Sequence, residues 1–384
     1  IERILMHHIT MPLRSPFTTS FGREYDRECI IVEMKNGSHV GYGECVASEL
    51  PGYSYETAGT AWHVLSKFLI PAVVGKDLEE PEMIQEWMKE VRGHPMAKAA
   101  LDQAAWDFIA KRDGISFAEK LAKPYAEGPR ERVKVGVSVG IQEDVYDLID
   151  LLEEYQIEGY SRIKMKIKPG YDLEYIRKAR EIYEDFPFMV DANSAYTLND
   201  VDLFKKMDDL NLMMIEQPLG FEDIYDHSQL HPQIKTPLCL DESITSFNHA
   251  RAAIGMNACD IINIKPGRVG GWTIARQIHD LCADAGIGLW VGGMLETGIG
   301  RAGQLALASL PGFTLPGDIS ATERYYEEDI ATEFKLNIED GTITVPKGPG
   351  LGVELDPDVL IRQTLQSDRF HMDDYVDIFA DEFD

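Results

Sequence analysis

Three acidic residues recur at an even interval: Asp191 in MVDAN, Glu216 in MIEQP and Asp241 in CLDES, each 25 residues after the one before. Any one of them reads equally well as a helix N-cap. Three in consecutive, similarly built units read better as a cluster. Clustered carboxylates cannot all stay ionised without a cation, and an all-oxygen ligand set favours Mg²⁺ or Mn²⁺ over zinc. Positive charge falls in the same neighbourhood. Residues 162–168 read RIKMKIK, whose strict alternation is the period of a strand and puts Arg162, Lys164, Lys166 and Lys168 on one face. That face is either a wet, cationic edge or an inward face beside the carboxylates. Lys265, in INIKPG, closes another strand-like run. With the lysines inward, a hard divalent metal lies between cations on two sides. This suits removal of the proton α to a carboxylate, and repulsion between Lys164 and Lys166 should lower at least one pKa toward that of a general base. Lys168, beside Pro169-Gly170, is expected to reach solvent.

Elements that bring such residues together are legible along the chain. The first part has strand-like stretches, IERILMHHITMPL and ECIIVEMKNGSHVGYGECVA, with a turn signal at Asn36-Gly37, followed by helical patterns around 56–70 and 81–122. From about residue 133, short apolar runs alternate with amphipathic helices: VKVGVSVG, RIKMKI, PFMVDAN, LMMIEQP, PLCLDES, DIINIKP, IGLWVGG and FTLPGD. Eight such units fit a (β/α)₈ barrel, whose chemistry sits at the C-terminal ends of its strands. The chain is therefore divided into an α+β domain at 1–128, a barrel at 129–334, and a segment at 335–384 whose hairpin-like part, NIEDGTITVPKGPGLGVELD, is expected to rejoin the first domain. The acidic end, HMDDYVDIFADEFD, reads as a solvated tail.

Bulk properties exclude several classes. A net charge of −28, from 37 basic and 65 acidic residues, repels nucleic acid and anionic membranes, so an anionic substrate must meet local cations. Five cysteines without CxxC spacing form neither a zinc knuckle nor a disulfide framework. No apolar run approaches a membrane span, and the start lacks a basic flank with an apolar core. The expectation is a soluble cytoplasmic protein.

At these residues the chain resembles the enolase superfamily, whose members use a lysine base and Mg²⁺. KMKIKPG, DAN, EQP, DES, NIKPGRVGG and GGMLETGIGRA are similar to the branch with o-succinylbenzoate synthases and N-acylamino acid racemases. The resemblance implies an α/β fold, a (β/α)₈-type barrel with an α+β capping domain. It implies Lys166 and Lys265 as the acid/base pair, Lys164 as an electrostatic helper, and Asp191, Glu216 and Asp241 as ligands of Mg²⁺ or a substitute divalent ion. Ser138, Asn193, Gly293 and Met294 are implied to line the substrate pocket. Loops near SPFTTSFG and LPGYSYET would close the barrel mouth, with Phe21 and Tyr53 either touching substrate or packing the loops. The expected partner is a small carboxylate substrate, handled by dehydration in menaquinone biosynthesis, by racemisation, or both, in a homo-oligomer.

Other readings fit less well. GIGRAG at 298–303 matches G-x-G-x-x-G but lies in a late barrel unit, not at the opening of a dinucleotide fold, and a helix N-terminus facing substrate oxygens accounts better for its glycines. A mandelate-racemase-like base needs a histidine on strand seven, which IGLWVGG lacks. A dipeptide epimerase needs Asp-x-Asp on strand eight, where GGMLETG, taken as the corresponding stretch, has one carboxylate, Glu296. A catalytically silent protein on the same fold would bind metal without exchanging α-protons. Arg268, three residues after Lys265, is expected either to lower the Lys265 pKa or to be a surface residue.

Overall fold

The alternating runs at the start of the chain form a long hairpin, β1 (Arg3–Thr18) with β2 (Arg23–Asn36), and β3 (His39–Cys45) follows through a turn in which Gly37 takes φ +56°. A computed structural model describes residues 1–20 and 22–374. Alternate residues of this sheet, among them Ile4, Met6, Ile30, Val32 and Met34, are buried against the helix Pro95–Asp113 and its neighbours. The predicted helix over 81–122 is three helices, Met83–Trp87, Pro95–Asp113 and Phe117–Ala122. Gly93 and His94 both have positive φ and break the first from the second. His94 caps nothing with its side chain; Glu56, from the loop after β3, accepts from the amides of Met96 and Ala97 instead.

The remaining strands are β4 (Arg132–Lys134), β5 (Val137–Val139), β6 (Ile163–Lys166), β7 (Phe188–Asp191), β8 (Ile215–Glu216), β9 (Leu238–Leu240), β10 (Ile261–Ile264), β11 (Gly288–Val291), β12 (Thr342–Thr344) and β13 (Thr364–His371). β5 to β11 make one parallel sheet in sequence order. The run VKVGVSVG is thus two strands. It breaks at Gly136, where a Cβ would stand 2.7 Å from the Arg162 guanidinium.

FTLPGD does not form the expected eighth strand. Pro316 has no amide to give a ladder. The segment still closes the ring, since the Leu315 and Asp318 amides donate to Leu289 and Val291 on β11, while the Gly317 carbonyl accepts from Gly136 on the other side. The hairpin-like stretch divides: β12 pairs with β4 beside the barrel, whereas further along it Gly350 bridges Ser116 and the Leu351 amide donates to Asp107 of the first domain, and β13 then pairs against β1 in the first sheet. β13 was not foreseen, because TLQSDRFH has mostly exposed, polar positions. The acidic tail beyond residue 374 lies outside the described residues.

Candidate active site

Strand register sets the site. Lys166, Asp191 and Glu216 are direct neighbours across β6, β7 and β8, and Asp241 and Lys265 immediately follow β9 and β10. In sheet order the lysine strands therefore flank the three carboxylate strands. Asn193, Ser194 and Gln217 follow in positive φ, a turn of the backbone concentrated at the strand ends. Below them Met189, Met214, Cys239, Ile261 and Trp290 fill the barrel interior. Trp290 is the floor on which Lys164 and Arg162 rest, 5.2 and 5.1 Å from its ring centre.

Asp191, Glu216 and Asp241 are fully buried, and one oxygen from each lies within 4.8 Å of the others. Three hard oxygen donors so placed fit a divalent cation. Asp191 accepts from Lys166 at 2.6 Å and pairs with Lys164 at 3.1 Å; Asp241 accepts from Lys265 at 2.8 Å. Glu216 accepts from Lys164 at 3.0 Å and from Asn263 at 2.8 Å. Burial alone would raise the Asp191 pKa, but Lys166 and Lys164 hold it well below the usual carboxylate range. Glu216 is raised, by burial and by Asp191.

The lysines differ. Lys166 is lowered by burial, with Lys164 adding to the effect against Asp191. Lys164 is raised well above its ordinary value, because Asp318, Glu216 and Asp191 outweigh its burial. Lys265 is also raised, burial being overcome by Tyr53, Glu216 and Glu242. Arg268 is not among the leading causes of that shift. Nor is Arg268 a surface residue: it is buried, donating to Asp241 and to the carbonyls of Ile244 and Asn263, so that it holds the Asp241 carboxylate in place.

A cavity opens above these groups. Its barrel wall includes Ser138, Lys164, Lys166, Asn193, Lys265, Gly293 and Met294, and its other wall is Phe17, Thr19, Arg27, Ser48 and Tyr53 from the first domain. Ser138 donates to Asp318 at 2.7 Å. Asn193 accepts from Lys166 at 2.7 Å and donates to Glu242 at 2.7 Å. Met294 gives its amide to Glu296, and Gly293 is needed where a Cβ would meet the Asp318 carbonyl at 2.4 Å. Lys168 is half-buried beside Tyr171. Phe21 lies outside the described residues.

Three contributors, Glu242, Asp318 and Arg27, are absent from the sequence-based expectations, and Tyr53 has a polar role they did not include. Tyr53 is no mere packing residue, since its hydroxyl donates to Asp241 and accepts from Lys265. Glu242, inside the DES motif, is pushed up to about 7 by burial and Asp191. Asp318 pairs with Lys164 and Arg162, each at 2.8 Å. It ends the eighth segment, whereas GGMLETG follows β11, so the single carboxylate of strand eight is Asp318, with Ser320 two residues on. Arg27, in the cap wall of the cavity, is the third. The helix N-terminus at GIGRAG does not face a substrate either: Glu44 takes the Thr297 and Gly300 amides and Asp329 that of Gly298. The glycines there allow close packing, a Cβ at Gly303 lying 2.6 Å from Trp272.

A lysine-flanked carboxylate cluster at the mouth of a capped barrel has the groups that metal-assisted proton abstraction needs. The chain belongs to the mandelate racemase and muconate lactonizing enzyme family of the enolase superfamily: residues 2–121 match its N-terminal domain and 147–359 the enolase C-terminal domain-like family. It is 46% identical to an o-succinylbenzoate synthase of Geobacillus kaustophilus, over 97% of this chain and 98% of that one. It is 45% identical to an N-succinylamino acid racemase of Amycolatopsis, over 94% and 96%. A crystal structure of an enolase superfamily member from Listeria innocua superposes with a TM-score of 0.91 at 40% identity, covering 97% of this chain and 99% of the other. Among the described residues no helix is long and apolar enough to cross a membrane, and all five cysteines are buried and free.

Proposed function

We propose that the enzyme removes the proton α to a substrate carboxylate, forming o-succinylbenzoate by dehydration, as in menaquinone biosynthesis, and racemising N-succinylamino acids with the same residues. The observation that carries the reading is the entry of Lys166 and Lys265 into one cavity from strands on either side of the carboxylate cluster. Lys166 takes the α-proton. Lys265 stands opposite, as a cation during dehydration and as the returning acid during racemisation. Lys164, fixed by Asp318 and Glu216, places positive charge on the substrate carboxylate. Asp191, Glu216 and Asp241 would hold Mg²⁺, which when bound would supply positive charge to the substrate carboxylate as the α-proton leaves. The capping loops exclude water, and Asn193, tied to Ser20 at 3.1 Å through its carbonyl, joins cap and barrel.

Purified protein with Mg²⁺ is expected to form o-succinylbenzoate, read by absorbance, and to interconvert N-succinylamino acid enantiomers, read by polarimetry. Absence of α-proton exchange in D₂O on both substrates would overturn the reading.

A further inference from the structure

The cavity is lined by four cations, and three of them face carboxylates. Lys164 is engaged by Asp191, Glu216 and Asp318, Lys166 by Asp191, and Lys265 by Asp241. Arg27 is the exception. It sits on β2 opposite Met11, only 2% exposed, and donates to the Val46 carbonyl and the Ser48 hydroxyl. Its Nε is buried without a partner, and it forms no ion pair among the described residues. Glu24, on the same strand, also lines the cavity and helps keep the guanidinium charged, without closing onto it.

A buried guanidinium facing only neutral acceptors is costly unless a ligand supplies the missing anion. Its place in the wall says which anion. The carboxylate next to the reacting carbon is drawn to the strand ends, where Lys164 and the three-carboxylate cluster lie. Arg27 is on the capping wall, across the cavity. A ligand that satisfies both ends carries two carboxylates.

We infer that Arg27 binds the distal carboxylate of a succinyl group and so selects dicarboxylic substrates over those with a neutral acyl group. This inference rests on the proposed reaction for the identity of the substrates. The succinyl arm is what an N-succinylamino acid shares with the precursor of o-succinylbenzoate, because loss of water from the ring leaves that arm untouched. One cation reading the shared arm explains how a single pocket takes two otherwise different molecules. Guanidinium suits this better than ammonium, as its planar fork engages a carboxylate while keeping bonds to Val46 and Ser48.

The test is calorimetric binding of N-succinylglycine and N-acetylglycine to the Mg²⁺-supplemented protein, its Arg27→Gln variant and its Arg27→Lys variant, with α-proton exchange followed separately by NMR in D₂O. The wild type is expected to prefer the succinyl compound by roughly 10- to 100-fold, the range of a hydrogen bond to a charged group. Arg27→Gln should bring that ratio close to one, and Arg27→Lys should restore part of it. Circular dichroism shows whether each variant is folded. A wild type without the preference, or a ratio unchanged in Arg27→Gln, overturns the inference. Absence of proton exchange with the binding preference intact would strike the proposed reaction and leave the role of Arg27 standing.

Discussion

Tyr53 of the capping domain donates its hydroxyl to Asp241 Oδ1 at 2.9 Å, across the boundary between cap and barrel. The Tyr53 hydroxyl oxygen in turn accepts from Lys265 at 3.1 Å. One cap residue therefore orients both a carboxylate of the cluster and a lysine of the proposed acid/base pair. Tyr53→Phe keeps the ring that packs over Lys265, 4.5 Å away, and removes only the hydroxyl. A hydrogen bond to a charged group contributes about 1.5–3 kcal/mol, so kcat/KM should fall by roughly 10- to 100-fold with the fold intact. Steady-state kinetics beside a thermal melt measures this, and unaltered kinetics would mean that the hydroxyl is a bystander.

Chelation should abolish activity, and Mg²⁺ or Mn²⁺ should restore it, since three buried carboxylate oxygens within 4.8 Å of one another need a cation to stay ionised together. Asp241→Asn preserves volume while removing one charge. A metal titration should show at least about a tenfold weaker midpoint, given the differential interaction expected of a lost anionic ligand. Full turnover by the chelated wild type would remove the metal from the mechanism.

Much of this site was legible because a barrel repeats. One carboxylate at the same point in three successive units, and alternating lysines on the strand before them, are local patterns that the fold converts into neighbours. What was not legible depends on contacts between distant segments. Asp318 ends FTLPGD, which reads as the eighth strand, but GGMLETG, which follows β11, reads as the stretch that carries the strand-eight carboxylate, so Asp318 is passed over. Tyr53 reaches Asp241 from 188 residues away, and Arg27 sits on a strand whose burial reads as ordinary core. The glycines of GIGRAG misled for the opposite reason, since they suggested an anion site where Glu44 and Asp329 already occupy the amides.

Stability should carry a pH signature from Glu56, which caps the helix Pro95–Asp113 through the amides of Met96 and Ala97 and lies far along the chain from the carboxylate cluster. Burial raises its pKa from 4.5 to about 7, against the lowering effect of those amides. The folded state thus binds this proton more tightly than the unfolded state does. Stability from this group is gained as pH falls from about 7 toward 4.5 and is lost above about 7. The shift corresponds to at most about 3 kcal/mol. Compared with Glu56→Gln, the wild type should gain up to that much between pH 8 and pH 4.5 in urea unfolding. Parallel stability profiles for the two proteins would contradict the assignment.

The two lysines should be separable by isotope exchange. They reach the cavity from β6 and from the end of β10, with the three carboxylate strands between them, so a substrate held there presents opposite faces of its α-carbon to each. Racemisation then requires both, one to remove the proton and the other to return it, and Lys166→Ala or Lys265→Ala should each stop it. The surviving lysine can still take the proton from the enantiomer that points its hydrogen that way and give back deuterium with retention. Each variant should therefore exchange one enantiomer only, and the two variants opposite ones. Dehydration with acid and base work on one face has a different dependence: Lys166→Ala should abolish it, whereas Lys265→Ala, which removes a cation but not the base, should leave a trace. NMR of α-proton loss from each pure enantiomer in D₂O decides the matter. Exchange of both enantiomers by a single-lysine variant would mean that one base reaches both faces, and the flanking arrangement would lose its mechanistic meaning.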